Sequence, residues 1–274
     1  MKKTLLKYAG NKQGVMCQIT RHFQWKGIKN YIEPFAGALG AALNADIPDE
    51  VSIKLNDANK ELIEFYKAVK ENPGEVEKIA NEFPNGKEGY LFVREKDKDF
   101  NWILNSTKFE KAARTIYLNK RCFNGLYRVN KAGHFNVPWN KNLNPAPISI
   151  VENKEFIEFL NRSQFSSKDW SLLVAEAGAG DLIYCDPPYV DLNDSGSTFH
   201  GYIGGFSLSD QIKLRDSLVE ANRRGAQVIV SNSYCEKTLE IFKGWEIHEI
   251  IARRRISRNS SGRILQGEIL AILK

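Results

Sequence analysis

The sequence predicts an α/β fold, a sheet fed by alternating strands and helices and interrupted by a mostly helical and looped insert. Three observations carry that prediction. Short apolar or alternating runs at 51–55, 182–185 and 228–231 have strand character, and those at 51–55 and 182–185 run directly into Asn56-Asp57 and Asp186-Pro187. A glycine-containing turn, Ala36-Gly37-Ala38-Leu39-Gly40, lies between an early strand and small helix-forming residues. Helical spacing then dominates the middle of the chain until strand patterning resumes near Leu182.

Taken in order, residues 30–40 read as a short strand, a tight turn and the start of a helix running through Ala45. This is a nucleotide-type βα turn, in which glycine permits close backbone approach to a ligand and the helix N-terminus offers free N–H groups. Val51, Ile53 and Leu55 alternate with polar residues as a second strand that ends at Asn56-Asp57. Asp57 follows Gly37 by twenty positions, a spacing that sets an acid at the end of the second strand against the ribose hydroxyls of a cofactor gripped at the first turn. Leu62, Phe65, Tyr66 and Val69 share a helical face that stops at Asn72-Pro73-Gly74, and a further helix covers about 75–82. A polar stretch follows. Phe109, Ala112, Ala113, Ile116 and Tyr117 define an amphipathic helix with Ser106 and Thr107 as candidate caps. Residues 119–145, rich in Asn, Gly, Pro, Lys and Arg, form a loop-rich segment carrying Phe123, Tyr127, Phe135 and Trp139. After the buried strand at 182–185, Ser207 caps a helix with Asp210 in its first turn and Leu214, Leu218 and Ala221 on its inner stripe. Gly225 ends that helix, and strands at 228–231, 245–251 and 268–273 complete the sheet.

With 274 residues, 42% hydrophobic and 26% charged, the chain has material for a sizeable core. No run approaches the length of a membrane span, and the start, Met1 to Lys7, turns polar before a signal-peptide core forms, which predicts a cytoplasmic protein. Cys17, Cys122, Cys185 and Cys235 are dispersed with no CxxC pair, so neither a disulfide framework nor a zinc site is predicted. The net charge of +6 leans toward a polyanionic partner.

The chemistry concentrates at Asp186-Pro187-Pro188-Tyr189, directly after the strand at 182–185. An exocyclic base amine is a poor nucleophile because its lone pair is delocalised into the ring. An ionised carboxylate only accepts hydrogen bonds, so Asp186 can take one amine hydrogen and stabilise charge developing on nitrogen. Proline has a fixed φ and no N–H, which suits the Pro187 carbonyl to the second hydrogen. Tyr189 offers a ring face on which a flipped base stacks, an interaction of roughly 1–3 kcal/mol per base. These residues predict methyl transfer to an amino group. The four residues alone leave open whether the acceptor is adenine N6, cytosine N4 or an RNA base, and a non-enzymatic nucleic-acid-binding module on the same fold is the rival class.

The order of motifs narrows the choice. A string from Lys7 and Tyr8 to Lys12, then Glu33-Pro34-Phe35-Ala36-Gly37, a long insert and Asp186-Pro187-Pro188-Tyr189 resembles the Dam-type DNA adenine-N6 methyltransferases of the D12 class over nearly the whole chain. Further matching stretches are Tyr117-Leu118-Asn119, Phe123 to Arg128, Gly133 to Pro138, Ser231-Asn232 and the arginine-rich stretch from Arg253. The resemblance implies a Rossmann-like catalytic domain, 1–58 and 160–274, that binds S-adenosylmethionine, with a target-recognition subdomain at 59–159. It implies double-stranded DNA as partner, a flipped adenine as acceptor, commonly within GATC, no metal and no obligate protein partner. Tyr8 and Lys12 would lie against the cofactor, with Lys12 near its carboxylate. Phe35 and Gly37 would shape the pocket floor, Asp57 would hold the ribose, Asp169 would lie near the cofactor adenine, and Asp186 would border both ligands. Arg128 matches the position that reads one guanine, and Lys7 one near the other. Phe123 and Asn124 match residues that enter the duplex, and Leu126 and Pro138 match apolar contacts to a thymine. Arg253, Arg254, Arg255, Arg258 and Arg263 would contact phosphates. Two features depart from the pattern: Leu39 stands at the second glycine position of the first turn, and the recognition loop carries Lys120-Arg121-Cys122 and Val129.

Overall fold

The computed structural model describes residues 1–8, 12–189, 205–250 and 267–273. A 3-10 turn at Lys12–Gly14 leads into α1 (Met16–Thr20), followed by β1 (Asn30–Glu33), α2 (Gly40–Leu43) and β2 (Ser52–Asn56). Six helices come next: α3 (Lys60–Glu71), α4 (Pro73–Glu82), α5 (Gly86–Glu95), α6 (Phe100–Asn105), α7 (Lys108–Arg121) and α8 (Lys154–Arg162). The chain then re-enters the sheet through β3 (Ser163–Ser166), α9 (Trp170–Glu176), β4 (Asp181–Cys185), α10 (Leu208–Arg223) and β5 (Gln227–Ser233). It closes with α11 (Glu236–Ile241), β6 (Glu246–Ile250) and β7 (Glu268–Leu273).

Among the described residues the strands form one mixed sheet in the order β3-β2-β1-β4-β5-β7-β6. The pairs from β3 to β5 are parallel, and β7 runs antiparallel to both β5 and β6. Chain order reverses between β1 and β4, and ligands of open α/β sheets bind in the crevice beyond the strand ends at such a point. Both faces of the sheet are covered. Leu182, Tyr184 and Ile229 pack into one core layer, while Ile183, Cys185, Val228 and Val230 pack into the other, so central strands read as continuous apolar runs instead of alternating ones.

Several expected elements gain their physical cause here. Thr107 caps α7 in a reciprocal capping box with Glu110, and Ser207 with Asp210 does the same for α10. The stretch expected to be merely polar after α4 instead folds as α5 and α6. Tyr90 and Val93 are buried there, but Phe92, Phe100 and Leu104 stay exposed, so apolar residues do not segregate into one readable stripe. Strand β3, Ser-Gln-Phe-Ser, is a polar edge strand without a period-two signal. Ile251 and the arginines at 253, 254, 255, 258 and 263 lie outside the described residues, as do 9–11 of the first motif. Among the described residues no helix is long and apolar enough to cross a membrane.

Candidate active site and nucleic-acid interface

The crevice is assembled at the carboxyl ends of β1, β2, β3 and β4. Asn56, buried at the end of β2, ties three of them together: its Nδ2 donates to the carbonyls of Pro34 and Lys168, and its Oδ1 accepts from the Lys168 amide and the Ser166 hydroxyl. Asp57 then accepts the Gly37 amide on Oδ2 and the Asn59 amide on Oδ1, both at 2.9 Å. Burial pushes its carboxyl up, against those two amides. Tyr66 donates to the Gly37 carbonyl at 2.9 Å, so both backbone groups of this glycine are clamped. Gly37 has φ +46°, and a Cβ there would sit 3.5 Å from the Tyr8 ring. Leu39 is also left-handed, at φ 64°, and wholly buried. The chain therefore keeps the backbone shape of a glycine turn with a leucine, accepting roughly 1–2 kcal/mol of steric cost against the burial of its side chain.

On the other side of the turn, Phe35 packs against Phe206 edge-on and against Trp170, forming an aromatic wall. Asp169 precedes Trp170 as the N-cap of α9, accepting the Ser171 amide at 2.9 Å, and is exposed. Its cap role fixes the start of the helix that carries Trp170.

At the end of β4 stands a buried charge cluster. Lys12, 4% exposed, places its ammonium 3.2 Å from Asp186 Oδ1 and 3.0 Å from Glu268 Oε2, and donates to the Tyr189 hydroxyl. Asp186 Oδ1 is shielded from solvent and faces the Lys12 ammonium as one half of a buried ion pair. Burial raises the Asp186 carboxyl to about 6, with the Lys12 charge pulling down and Glu268 pushing further up. Burial also pushes the Tyr189 phenol well up, as do Asp186 and Glu268. Glu33 at the end of β1 is buried beneath them, accepts from Tyr31 at 3.0 Å, and has its carboxyl driven up by burial, by Asp186 and by Asp57. The proline turn is held from behind: Gln211 Nε2 of α10 donates to the Pro188 carbonyl at 2.6 Å, and Gln211 Oε1 accepts from Asn232 of β5.

A second constellation lies on the hairpin that follows α7. Phe123 donates its amide to the Pro138 carbonyl, Asn136 to the Arg128 carbonyl, and Asn130 to the His134 carbonyl, building a short ladder over 122–139. Its entry is tight, since Asn124 and Gly125 are left-handed at φ 56° and 65°, and its tip is the turn at Asn130 to His134, where Gly133 has φ 84°. A Cβ at Gly125 would come within 2.4 Å of Lys7 Cβ. Asn119 at the end of α7 mimics a backbone, accepting from the Lys7 amide and donating to the carbonyls of Lys7 and Gly125. Lys7 is thereby brought to the hairpin although it lies 112 positions before Asn119 in sequence. Phe123 and Leu126 are 42% and 38% exposed, and Asn124, Arg128 and Pro138 also face solvent. Arg128 Nε donates to Asn136 Oδ1 at 2.7 Å and Nη2 to the Asn136 carbonyl, which orders the guanidinium and leaves its terminal edge outward. Beneath the hairpin, Tyr90 donates to the Val137 carbonyl, and Asp97 accepts the Phe135 amide while pairing with buried Arg114.

The sequence-derived residues thus fall into two groups: Tyr8, Lys12, Phe35, Gly37, Asp57, Asp169, Asp186, Pro187 and Tyr189 around the crevice, and Lys7, Phe123, Asn124, Leu126, Arg128 and Pro138 at the hairpin. Glu33, Tyr66, Trp170, Phe206, Gln211 and Glu268 were not among them. A mixed sheet of this order, with a clamped glycine turn, an acid after β2 and an acid-proline-proline-aromatic turn after β4, defines an enzyme of the nucleoside-cofactor α/β class.

Comparison with known proteins gives the particular family. The model of the D12 class N6 adenine-specific DNA methyltransferases matches residues 8–256. The chain is 36% identical over 275 residues to the "Type II methyltransferase M1.LlaDCHI" of Lactococcus lactis subsp. cremoris, covering 97% of this chain and 93% of that one. It is 35% identical over 276 residues to a "DNA adenine methylase" of Vibrio cholerae, covering 98% and 95%. It is also 35% identical over 277 residues to the "DNA N-6-adenine-methyltransferase" of Escherichia phage P1; there 99% of this chain aligns with about a third, 35%, of the longer phage protein. The chain belongs to the D12 class of N6 adenine-specific DNA methyltransferases. The family acts on DNA and implies S-adenosylmethionine as methyl donor. The crevice suits that group, because Gly37 turns the backbone at a positive φ without a side chain, Asp57 stands at the β2 end and Phe35, Trp170 and Phe206 offer apolar ring surface.

Proposed function

We propose that this protein methylates N6 of an adenine rotated out of double-stranded DNA, within GATC, using S-adenosylmethionine and no metal, and that it does so in the cytoplasm without an obligate protein partner. The observation that carries the reading is the Asp186 carboxyl at the end of β4, ion-paired to Lys12, which also donates to the Tyr189 hydroxyl. The donor, when bound, supplies a methyl group already activated on a sulfonium, so no covalent enzyme intermediate is required. Asp57 would hold its ribose, Phe35, Gly37 and Tyr8 would shape its pocket, Asp169 would lie near its adenine, and Lys12 would lie toward its carboxylate. The chain's own work is to bind and orient the base. Asp186 accepts one amine hydrogen and stabilises positive charge as it grows on nitrogen; the Pro187 carbonyl accepts the other hydrogen, and Tyr189 stacks the ring. Engagement of the Pro188 carbonyl by Gln211 supports this division, since it fixes the turn while leaving the acceptor role to Pro187.

Residues 59–159 would form the recognition subdomain between catalytic segments 1–58 and 160–274. Phe123 and Asn124 enter the stack vacated by the base, Arg128 and Lys7 read the guanines, and Leu126 and Pro138 contact a thymine methyl. The guanidinium edge left outward by Asn136 suits O6 and N7 of guanine. Digestion of DNA from cells expressing the chain, with paired nucleases that cut only methylated or only unmethylated GATC, tests acceptor and site together. Resistance to the second and sensitivity to the first is the expected result; unaltered GATC in DNA that carries methylated adenine elsewhere would remove the site assignment, and no methylated adenine at all would remove the activity.

A further inference from the structure

Strand β7 is antiparallel to its neighbours, so its first residue lies where β5 ends, at the same edge of the sheet as the catalytic turn. That residue is Glu268, 8% exposed, in register with Ser233 of β5 and Ile250 of β6. Its carboxylate lies 3.0 Å from the Lys12 ammonium, which also faces Asp186 Oδ1 at 3.2 Å and donates to the Tyr189 hydroxyl. Of the three donors of the ammonium, one goes to Glu268 and one to Tyr189, while Asp186 lies at ion-pair distance. Two buried carboxylates thus share one cation, and nothing assigns the second of them.

We infer that Glu268 is a positioning residue for methyl transfer: it anchors Lys12 and, through it, the Tyr189 hydroxyl, so that the ammonium is shared between two carboxylates and Asp186 keeps charge and hydrogen-bonding capacity for the target amine. The inference rests on Asp186 being the group that accepts the amine hydrogen. Without the Glu268 charge, Lys12 faces one buried anion instead of two. It then pairs with Asp186 alone, drawing off more of the acceptor's capacity and stabilising the carboxylate. The remaining excess of negative charge in the wild-type cluster also favours positive charge developing on the base nitrogen.

The test compares wild type with Glu268→Gln, which keeps size and strand geometry. Single-turnover methylation of duplex DNA at pH 8 is expected to slow by about tenfold or more, because a charged hydrogen-bond partner is lost, with DNA affinity unchanged. A second readout is independent of turnover: titration of the Asp186 carboxyl by carbon NMR of protein labelled at aspartate, its resonance identified by its loss in Asp186→Asn. Among the described residues, the groups facing Asp186 are Lys12 from the 3-10 turn, Glu33 from β1, Tyr184 and Cys185 from β4, Tyr189 from the turn and Glu268 from β7. Of these the substitution alters only Glu268, so the Asp186 midpoint must move to lower pH, and Glu268→Asp, which retains the charge, must restore it toward wild type. A midpoint that stays in place in Glu268→Gln, or a wild-type rate, overturns the inference. If Asp186→Ala is inactive while Glu268→Gln is unaffected, only the Glu268 role falls; if Asp186→Ala still methylates, the parent reading falls with it.

Discussion

The floor of the crevice and the hairpin after α7 solve opposite problems. At the floor, ionised groups are buried and fixed by other side chains and by strand ends: Lys12 by Asp186 and Glu268, Asp57 by the Gly37 and Asn59 amides. At the hairpin, side chains are exposed and what is fixed is the backbone, through the 122–139 ladder, the left-handed Asn124-Gly125 step and the Asn119 amide. Reaction requires charge in a dry, preorganised site. Recognition requires polar and apolar groups left free to meet a partner.

The largest test of that contrast is Asp186→Ala, which should lower single-turnover methylation by about a thousandfold while leaving duplex affinity within about twofold, read by labelled methyl transfer and by DNA-binding titration. Arg128→Ala should do the reverse: retained chemistry on cognate DNA at saturation, but discrimination at one guanine reduced by about ten- to a hundredfold, from roughly 1–3 kcal/mol per bidentate contact. Competition between cognate and substituted duplexes measures it, and unchanged discrimination would reject the assignment. Asp57→Asn, which leaves an amide opposing the Gly37 N–H, should weaken donor binding by about tenfold or more without touching DNA affinity, as calorimetry of donor binding would record. Gly125→Ala adds a methyl group 2.4 Å from Lys7 Cβ at a positive φ, so DNA affinity should fall by about tenfold with donor affinity unchanged.

The smallest expected effect is thermal. The Asp186 carboxyl is raised from 3.8 to about 6, so its contribution to stability is present at low pH and is lost as pH rises through about 6. Asp186→Asn should therefore melt about 2–4 °C or more above wild type at pH 8, a gap that closes below pH 4. Wild-type methylation should fall in the opposite sense, as pH drops through about 6 and the acceptor becomes protonated. A melting gap independent of pH would show that desolvation of Asp186 is not its source.

Sequence carried the parts of the site whose signal is local. Asp186 to Tyr189, Gly37 with Asp57, and the Thr107 and Ser207 caps are each contained within a motif or a fixed spacing. Glu268, Gln211 and Tyr66 escaped because their meaning lies in partners far along the chain, Lys12, Pro188 and Gly37, that only the sheet order brings near. Leu39 is instructive in another way. Its residue type departed from the glycine pattern, yet the backbone did not, because complete burial of the side chain offsets a strained φ. Helices α5 and α6 were hidden by apolar residues scattered around their surfaces instead of along one stripe.

The relay from Asn232 through Gln211 to the Pro188 carbonyl contains no ionisable group, and its two amide side chains are buried. The support behind the proline turn accordingly has no proton of its own to gain or lose between about pH 4 and 9. Acidity reaches the turn instead from its other side, where Asp186 and Tyr189 meet Lys12.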